Sequence, residues 1–300
     1  MQIGERDPVT GQYTTGHDWN GIKELDNRVP RVVKFFLYAT ILWSIVYWIL
    51  MPAWPLGVSY TKGLLGIDQR QTVGKAVARG AAQRSVWVDQ IAQLDFEAIR
   101  QDPALMAIVR ETGSTLFGDN CAVCHGTDAR GNPGYPSLAS NAWLWGGDAE
   151  TIAETLRVGI NSSHPESRYG QMPAFGRDGI LDQAAISSIV SFIRNNAEGI
   201  DDLGPLDTKG VEEGRELFVE NCAACHGESG RGDPSMGVPD LMDDVWITGS
   251  NRQTLFRTIW RGRQGHMPHW EGRLSEIDRK ILTLYVTNIA SGQTEGVDER

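Results

Sequence analysis

The chain has 300 residues, room for about two domains, and its 28 Lys and Arg against 38 Asp and Glu give a formal net charge of −10. An acidic chain without a Lys/Arg cluster longer than two residues lacks the basic face that nucleic acid requires, so that partner class is excluded. A hydrophobic content of 41% with 34 Gly and 13 Pro excludes disorder and fits a globular protein rich in loops.

In chain order, a polar N-terminal segment over 1–31 leads into an apolar stretch. Phe35 to Met51 (FFLYATILWSIVYWILM) carries no charge, and Val32 and Val33 extend the stretch to about 20 residues, interrupted only by Lys34. At roughly 1.5 Å per residue this is about 30 Å of helix, the thickness of a bilayer core. Lys34 can snorkel to the interface. Tyr38, Trp43, Tyr47, Trp48 and Trp54 suit a membrane span, and Pro52 and Pro55 stop it. A cleaved signal peptide would not carry a leading segment of this length, and no good cleavage site follows. We therefore expect a retained transmembrane helix over 32–55. Lys23, Arg28, Arg31 and Lys34 precede the span while only Lys62 and Arg70 follow closely, a bias that favours a cytoplasmic N-terminus. A loosely helical connector is expected over 56–101.

The remainder is a duplication. Gly113, Leu116, Phe117, Asn120, Cys121, Cys124, His125 and Gly126 match Gly214, Leu217, Phe218, Asn221, Cys222, Cys225, His226 and Gly227 at an offset of 101. Pro136, Leu138, Trp143, Ile152, Leu156 and Gly159 match Pro239, Leu241, Trp246, Leu255, Ile259 and Gly262 at 103. Met172-Pro173 matches Met267-Pro268, and Leu181, Ile189, Phe192 and Asn195 match Leu274, Leu282, Tyr285 and Asn288. The main difference is the segment from the Gly to the Met, eight residues longer in the first copy. Each copy reads as helix, Gly/Pro loop, helix, Met loop, helix. Asp102 is the expected cap of a helix from Pro103, and Ile186, Ile189, Val190 and Ile193 recur at helical spacing. No convincing strand pattern is present. The expected modules are 102–198 and 211–292, with a linker at 199–210 and a tail at 293–300.

All four cysteines, Cys121, Cys124, Cys222 and Cys225, lie in two C-x-x-C-H motifs. Thiols at i and i+3 and an imidazole at i+4 share one face of a helical turn. Two thiols can then join two haem vinyl groups while His125 or His226 reaches the iron, the c-type attachment pattern. A single motif could be a redox dithiol, whereas two inside matching modules point to two covalent haem c groups.

Met172 and Met267, 47 and 41 residues beyond their histidines, are the expected opposite axial ligands; a thioether favours ferrous iron. Ligation within each module is the simplest arrangement, and a crossed one, Met172 to the second haem and Met267 to the first, would use the same residues. Met106 reads as core, and Met236 and Met242 break the repeat. His266 and His269 flank Met267 and could compete with it. His164 reads as a solvated loop residue, and His17 has no evident metal partner. Pro133 or Pro136, and Pro234 or Pro239, could present a carbonyl to the histidine ring. Trp143, Trp145 and Trp246 could line the haems or simply pack, and Arg130 and Arg231 could meet propionates or stay solvated. With both axial positions filled, substrate or oxygen chemistry at these irons is excluded and one-electron transfer remains; a dihaem peroxidase or a gas sensor would need an open site.

The N-terminal segment adds specificity. GHDWNGIKELDN over 16–27, with Pro30 and Arg31, resembles the stretch before the anchor in subunit III of cbb3-type cytochrome c oxidases, the CcoP/FixP family of dihaem cytochromes. The anchor and the two C-x-x-C-H modules with Met-Pro loops complete a resemblance over nearly the whole chain. It implies an all-α fold: one N-terminal transmembrane helix followed by two tandem cytochrome c-type domains. It implies that Cys121 and Cys124 hold one haem with His125 axial, Cys222 and Cys225 the other with His226 axial, and that Met172 and Met267 complete the iron shells. It further implies electrons taken from a soluble or membrane cytochrome c or a cytochrome bc1 complex and passed to the monohaem subunit II, then to the haem–copper subunit I. Oxygen reduction and proton translocation would belong to subunit I, so the chain would be non-catalytic by itself, with a small single-helix subunit and lipid as further neighbours. The implied location is a bacterial inner membrane with the haem domains periplasmic. The competing assignment is an anchored dihaem cytochrome serving another periplasmic reductase or dehydrogenase.

Overall fold

The computed structural model describes residues 4–200 and 208–292. Most of the expected linker over 199–210 and the whole tail over 293–300 fall outside them. The chain divides into two compact units, 1–84 and 85–300.

The first unit opens with an antiparallel hairpin of β1 (Thr14–Trp19) and β2 (Ile22–Leu25), pairing Trp19 with Ile22 and Asp18 with Lys23. The sequence shows no strand there, because the register is irregular between Thr14 and Asp18 and both strands are short. The turn is what makes the hairpin: Asn20 and Gly21 both have positive φ, 55° and 90°, as a two-residue primed turn requires. Lys23 also pairs with Glu5. Helix α1 (Arg31–Leu50) has no buried residue. Its Thr40 and Ser44 hydroxyls donate to the Phe36 and Thr40 carbonyls, so these polar groups are satisfied within the helix, as an apolar solvent demands. Met51 closes the last turn through its N–H to the Tyr47 carbonyl, and Pro52 prevents another. Helix α2 (Gln69–Gln93) fills much of the expected connector.

In the second unit, α3 (Phe96–Gln101) and α4 (Pro103–Asn120) follow α2. The Asp102 carboxylate accepts from the Ala104 and Leu105 N–H groups at 2.8 and 3.2 Å, with Pro103 at the first helical position. The short α5 (Ala122–His125) carries the first cysteine motif; α6 (Ala149–Val158) and α7 (Gln183–Asn196) complete the first sequence module. Then come α8 (Thr208–Asn221), α9 (Ala223–His226), α10 (Arg252–Arg261) and α11 (Glu276–Ala290).

The helices do not pack by sequence module. Helix α7 lies against α8 and α10, while α11 lies against α4 and α6. Each closing helix therefore crosses the opening helix of the other copy. At one crossing Gly113 of α4 faces Tyr285 of α11, where a Cβ would sit 2.7 Å from the Tyr285 Cβ. At the other, Gly214 of α8 faces α7, where a Cβ would sit 2.0 Å from the Ser188 carbonyl oxygen. Aromatic pairs seal both crossings, Phe117–Tyr285 at 5.8 Å and Phe192–Phe218 at 5.2 Å between ring centroids. Two cores result. Phe117, Ile152 and Leu156 pack with Trp270, Leu282 and Val286. Ile186, Ile189, Val190 and Ile193 pack with Phe218, Leu255 and Ile259. A third cluster ties Ile91 and Ile99 to Leu105, Met106, Val109, Ile281 and Leu284, which places Met106 in the core as its position in the sequence suggests.

Candidate functional site

Both C-x-x-C-H segments form one short helical turn directly after a long helix. The N–H groups of Cys121 and Cys222 still bond to Phe117 and Phe218, each at 2.8 Å, so each motif is rigidly continued from its helix. The histidines are then oriented from below. Nδ1 of His125 donates to the Pro136 carbonyl at 3.0 Å, and Nδ1 of His226 to the Pro239 carbonyl at 3.1 Å. A carbonyl only accepts, so both rings carry the proton on Nδ1 and present Nε2 as the free ligand atom. This selects Pro136 over Pro133 and Pro239 over Pro234. Burial pulls both imidazoles below the usual histidine range, against a smaller opposing effect of those carbonyl bonds. Burial likewise pushes the Cys121 and Cys222 thiols up to about 11, with the neighbouring Cys124 and Cys225 adding to it.

The methionines lie across from the opposite motif. Met267 packs in the core that contains Cys121, Ala122 and Phe117; Met172 packs in the core that contains Cys222, Ala223 and Phe218. Each Met thus packs with the motif of the other module, because each Met loop travels with its closing helix. Two equivalent backbone pairings hold these loops. Met267 and Ile160 exchange hydrogen bonds at 2.9 Å each; Met172 and Arg263 do so at 2.8 and 3.1 Å. Gly159 and Gly262 end α6 and α10 with positive φ, 71° and 67°, and allow the Met-Pro backbones to pass close. A Cβ there would sit 2.5 Å from the Met267 carbonyl oxygen or 2.4 Å from that of Met172.

Other candidates are placed as follows. His266 donates from Nδ1 to the Asn161 carbonyl at 2.8 Å. His164 is not solvated: its side chain is 11% exposed, its Nδ1 accepts from the Glu166 N–H, and its Nε2 lies 2.6 Å from Glu271. Its ring centroid is 5.6 Å from that of His269. Sequence reasoning missed this pairing because Glu271 is 107 residues away. His17 is exposed beside Glu24. Arg130 and Arg231 remain largely exposed, beside Asp128 and Asp240. Met236 is exposed and Met242 is buried beneath Gly230.

Three indoles matter. Trp143 packs in the first core and Trp246 in the second. Trp145 carries the Arg168 guanidinium 5.0 Å above its ring and presses on Gly237. Among the described residues, the indole N–H of Trp246, Nε of Arg168, Nε of Arg194 and the Ser140 hydroxyl are buried without a protein partner. Buried donors are normally satisfied, so such donors fit an acceptor-rich group that the protein alone does not supply. With free Nε2 atoms and a methionine packed in the core of each motif, these residues fit iron porphyrins with carboxylate side chains.

The comparisons agree. A model of the N-terminal domain of cytochrome oxidase cbb3, FixP, matches residues 11–58. A cytochrome c model matches 110–197, and one for subunit III of cbb3-type cytochrome c oxidase matches 209–286. The cbb3-type oxidase subunit FixP of Bradyrhizobium sp. is 43% identical over 96% of this chain and 98% of its own length. Subunit CcoP of Cereibacter sphaeroides is 41% identical over 93% and 95%, and CcoP of Azospirillum brasilense 39% over 98% and 100%. The chain belongs to the FixP/CcoP family of cbb3-type oxidase subunits. It is thus a membrane-anchored dihaem cytochrome c, with two covalently bound haem c groups, and it works among the other subunits of an oxidase. The FixP match spans both the hairpin and α1, the part that a generic dihaem cytochrome lacks.

Proposed function

We propose that this chain is the electron-relay arm of a cbb3-type oxidase. It would take electrons from a donor cytochrome c or a cytochrome bc1 complex and pass them to the monohaem subunit II and so to the haem–copper subunit I. Cys121, Cys124, His125 and Met267 would hold the first haem, and Cys222, Cys225, His226 and Met172 the second. The haems supply one-electron ferric/ferrous chemistry. The chain's own part is to fix the ligands. The Pro136 and Pro239 carbonyls set the imidazole orientation, and the paired strands at Ile160 and Arg263 hold the thioethers opposite. Histidine and methionine side chains held with so little freedom would keep rearrangement small and would leave no place for oxygen. The charge bias around α1 supports a cytoplasmic N-terminus, with the haem domains on the periplasmic face of a bacterial inner membrane, and a small single-helix subunit and lipid beside α1. The acidic balance of the chain favours a basic donor.

The observation that carries this reading is the placement of each Met loop in the core of the opposite motif. Its test begins with the chain in which Cys121 and Cys124 are both changed to Ala, leaving only the second haem. We expect its far-red Met-to-ferric-iron absorption to disappear with Met172→Leu and to survive Met267→Leu. The reverse outcome establishes ligation within modules. The complementary chain lacking Cys222 and Cys225 gives the mirror result. Copper and subunit I in the purified complex test the oxidase assignment separately.

A further inference from the structure

One side chain touches the approach to both methionines. Asn161, half-buried after Gly159 and Ile160, points its carboxamide between the two Met loops. Its Nδ2 donates to the Gly170 carbonyl at 2.9 Å and to the Gly265 carbonyl at 2.7 Å, using both of its hydrogens. Gly170 and Gly265 each stand two residues before a methionine, Met172 and Met267. The Asn161 Oδ1 accepts the Gly170 N–H at 3.3 Å, and its main-chain carbonyl accepts from Nδ1 of His266 at 2.8 Å. The Asn161 N–H donates to the Arg168 carbonyl at 2.7 Å. A residue with φ of 49° holds this position, a left-handed conformation that Asn tolerates better than most. The duplication does not repeat the device. The position equivalent to Asn161 is Gln264, at the same offset that pairs Ile160 with Arg263, and Gln264 is exposed.

We propose that Asn161 is a positioning residue for both irons at once, a clasp that fixes the two Met loops to one carboxamide; this rests on reading Met172 and Met267 as the sixth ligands. Physically, a thioether is a weak ligand that stays bound when its backbone is held in place, and a shared clasp places both loops under one restraint. The longer Gly-to-Met segment of the first module, eight residues more than in the second, has room to carry the Met172 strand past Asn161. That gives the length difference between the two copies a purpose.

The test is made on the full chain purified in detergent with both haems attached. In Asn161→Gly the carboxamide is lost while the left-handed backbone is freely allowed, so strain does not confuse the result. The reading is the far-red Met-to-ferric-iron absorption, to which both haems contribute, together with the two midpoint potentials. We expect the absorption to fall by more than half, which loss at one haem cannot produce, and both potentials to move downward together. Asn161→Asp keeps the size and the acceptor but removes both donors, and is expected to do the same; it serves if the glycine chain does not fold. Gln264→Gly should change nothing. An absorption that is unchanged or falls by half or less in the Asn161 variants, or a downward shift of one potential only, overturns the clasp. An absorption that survives Met172→Leu with Met267→Leu overturns the ligand reading and the clasp with it. If that double change abolishes the signal while Asn161→Gly leaves it intact, the clasp alone fails.

Discussion

At the residue scale the Met267 loop is held by charge as well as by backbone. Glu271 lies 2.6 Å from His164 and 3.6 Å from Arg157, which also binds Glu154 and Glu166 at 2.8 and 2.6 Å. The hydrogen bond from His164, then the charge of Arg157, holds the Glu271 carboxyl below its ordinary value of 4.5. A depressed carboxylate stabilises the fold above its unfolded-state value and loses that contribution as pH falls through the folded-state value. Glu271→Gln should therefore lower the melting temperature at pH 7, and the gap to the unaltered protein should close as the pH falls below about 4.5. Thermal melts of both proteins from pH 7 to pH 3 check this, and a gap constant with pH would mean that packing, not charge, is lost. The effect is expected to be small, because Glu271 is well exposed and screened. Much at this scale is legible in the sequence. Cys121, Cys124, His125 and their copies announce their chemistry by spacing alone, because the haem needs three groups within one turn. His164 and Asn161 do not, because their partners come from segments about a hundred residues away and local patterns carry no address for them.

At the scale of elements, the start of α4 and its Asp102 cap were readable, and the choice of partner was not. The apolar face of α7, Ile186, Ile189, Val190 and Ile193, and that of α11, Leu282 and Val286 among others, have the same period and nearly the same residue types. A face of this kind says that a helix packs, and leaves open which of two homologous helices it packs on. The exchange is decided by close fit at two crossings. Gly214 meets the Ser188 backbone, whereas Gly113 meets the side chain of Tyr285. Rotation moves neither the Ser188 carbonyl oxygen at 2.0 Å nor the Tyr285 Cβ at 2.7 Å, so Gly214→Ala, the closer approach, should destabilise more than Gly113→Ala. We expect overpacking of about 1–3 kcal/mol at Gly214, offset in part by roughly 1 kcal/mol of helix propensity gained. At Gly113 the net loss should be smaller, because the approach is 2.7 Å rather than 2.0 Å. Denaturant melts of the two variants, read at unchanged slope, measure the difference; equal losses would mean that the two crossings are equally tight. The hairpin escaped notice for another reason. Only the Asn20-Gly21 turn specifies it, because its arms, TTGHDW and IKEL, are short and carry no regular polar/apolar alternation.

At the scale of the whole molecule, the exchange of closing helices builds each of two cores from both sequence modules, so that neither module contains a whole core. Residues 102–198 include Cys121, Cys124 and His125, yet the core around Phe117 and Leu156 needs Trp270, Leu282 and Val286 from the far end of the chain. Burying a large apolar side chain contributes about 1.5–3 kcal/mol. Removing three such residues and Met267 therefore forfeits on the order of 5 kcal/mol or more, a large part of the roughly 5–15 kcal/mol that a domain has in total. A chain cut to residues 102–198 should accept haem at its cysteines but melt without cooperativity and lack far-red Met-to-iron absorption. A chain of residues 85–300, which keeps the whole second unit, should melt cooperatively and show that absorption at both haems. Restoring 211–292 to the short fragment in solution should rescue both properties, since the missing helix and thioether then return without a peptide link. If 102–198 alone gives a sharp transition and a full Met signal, Met172 can reach its own haem and the interlocked arrangement is not required. The functional corollary concerns both sites together. If the proposed ligation holds, a chain that closes each haem site with the other module's helix and methionine would not loosen one without disturbing the other, and would keep the two centres in register.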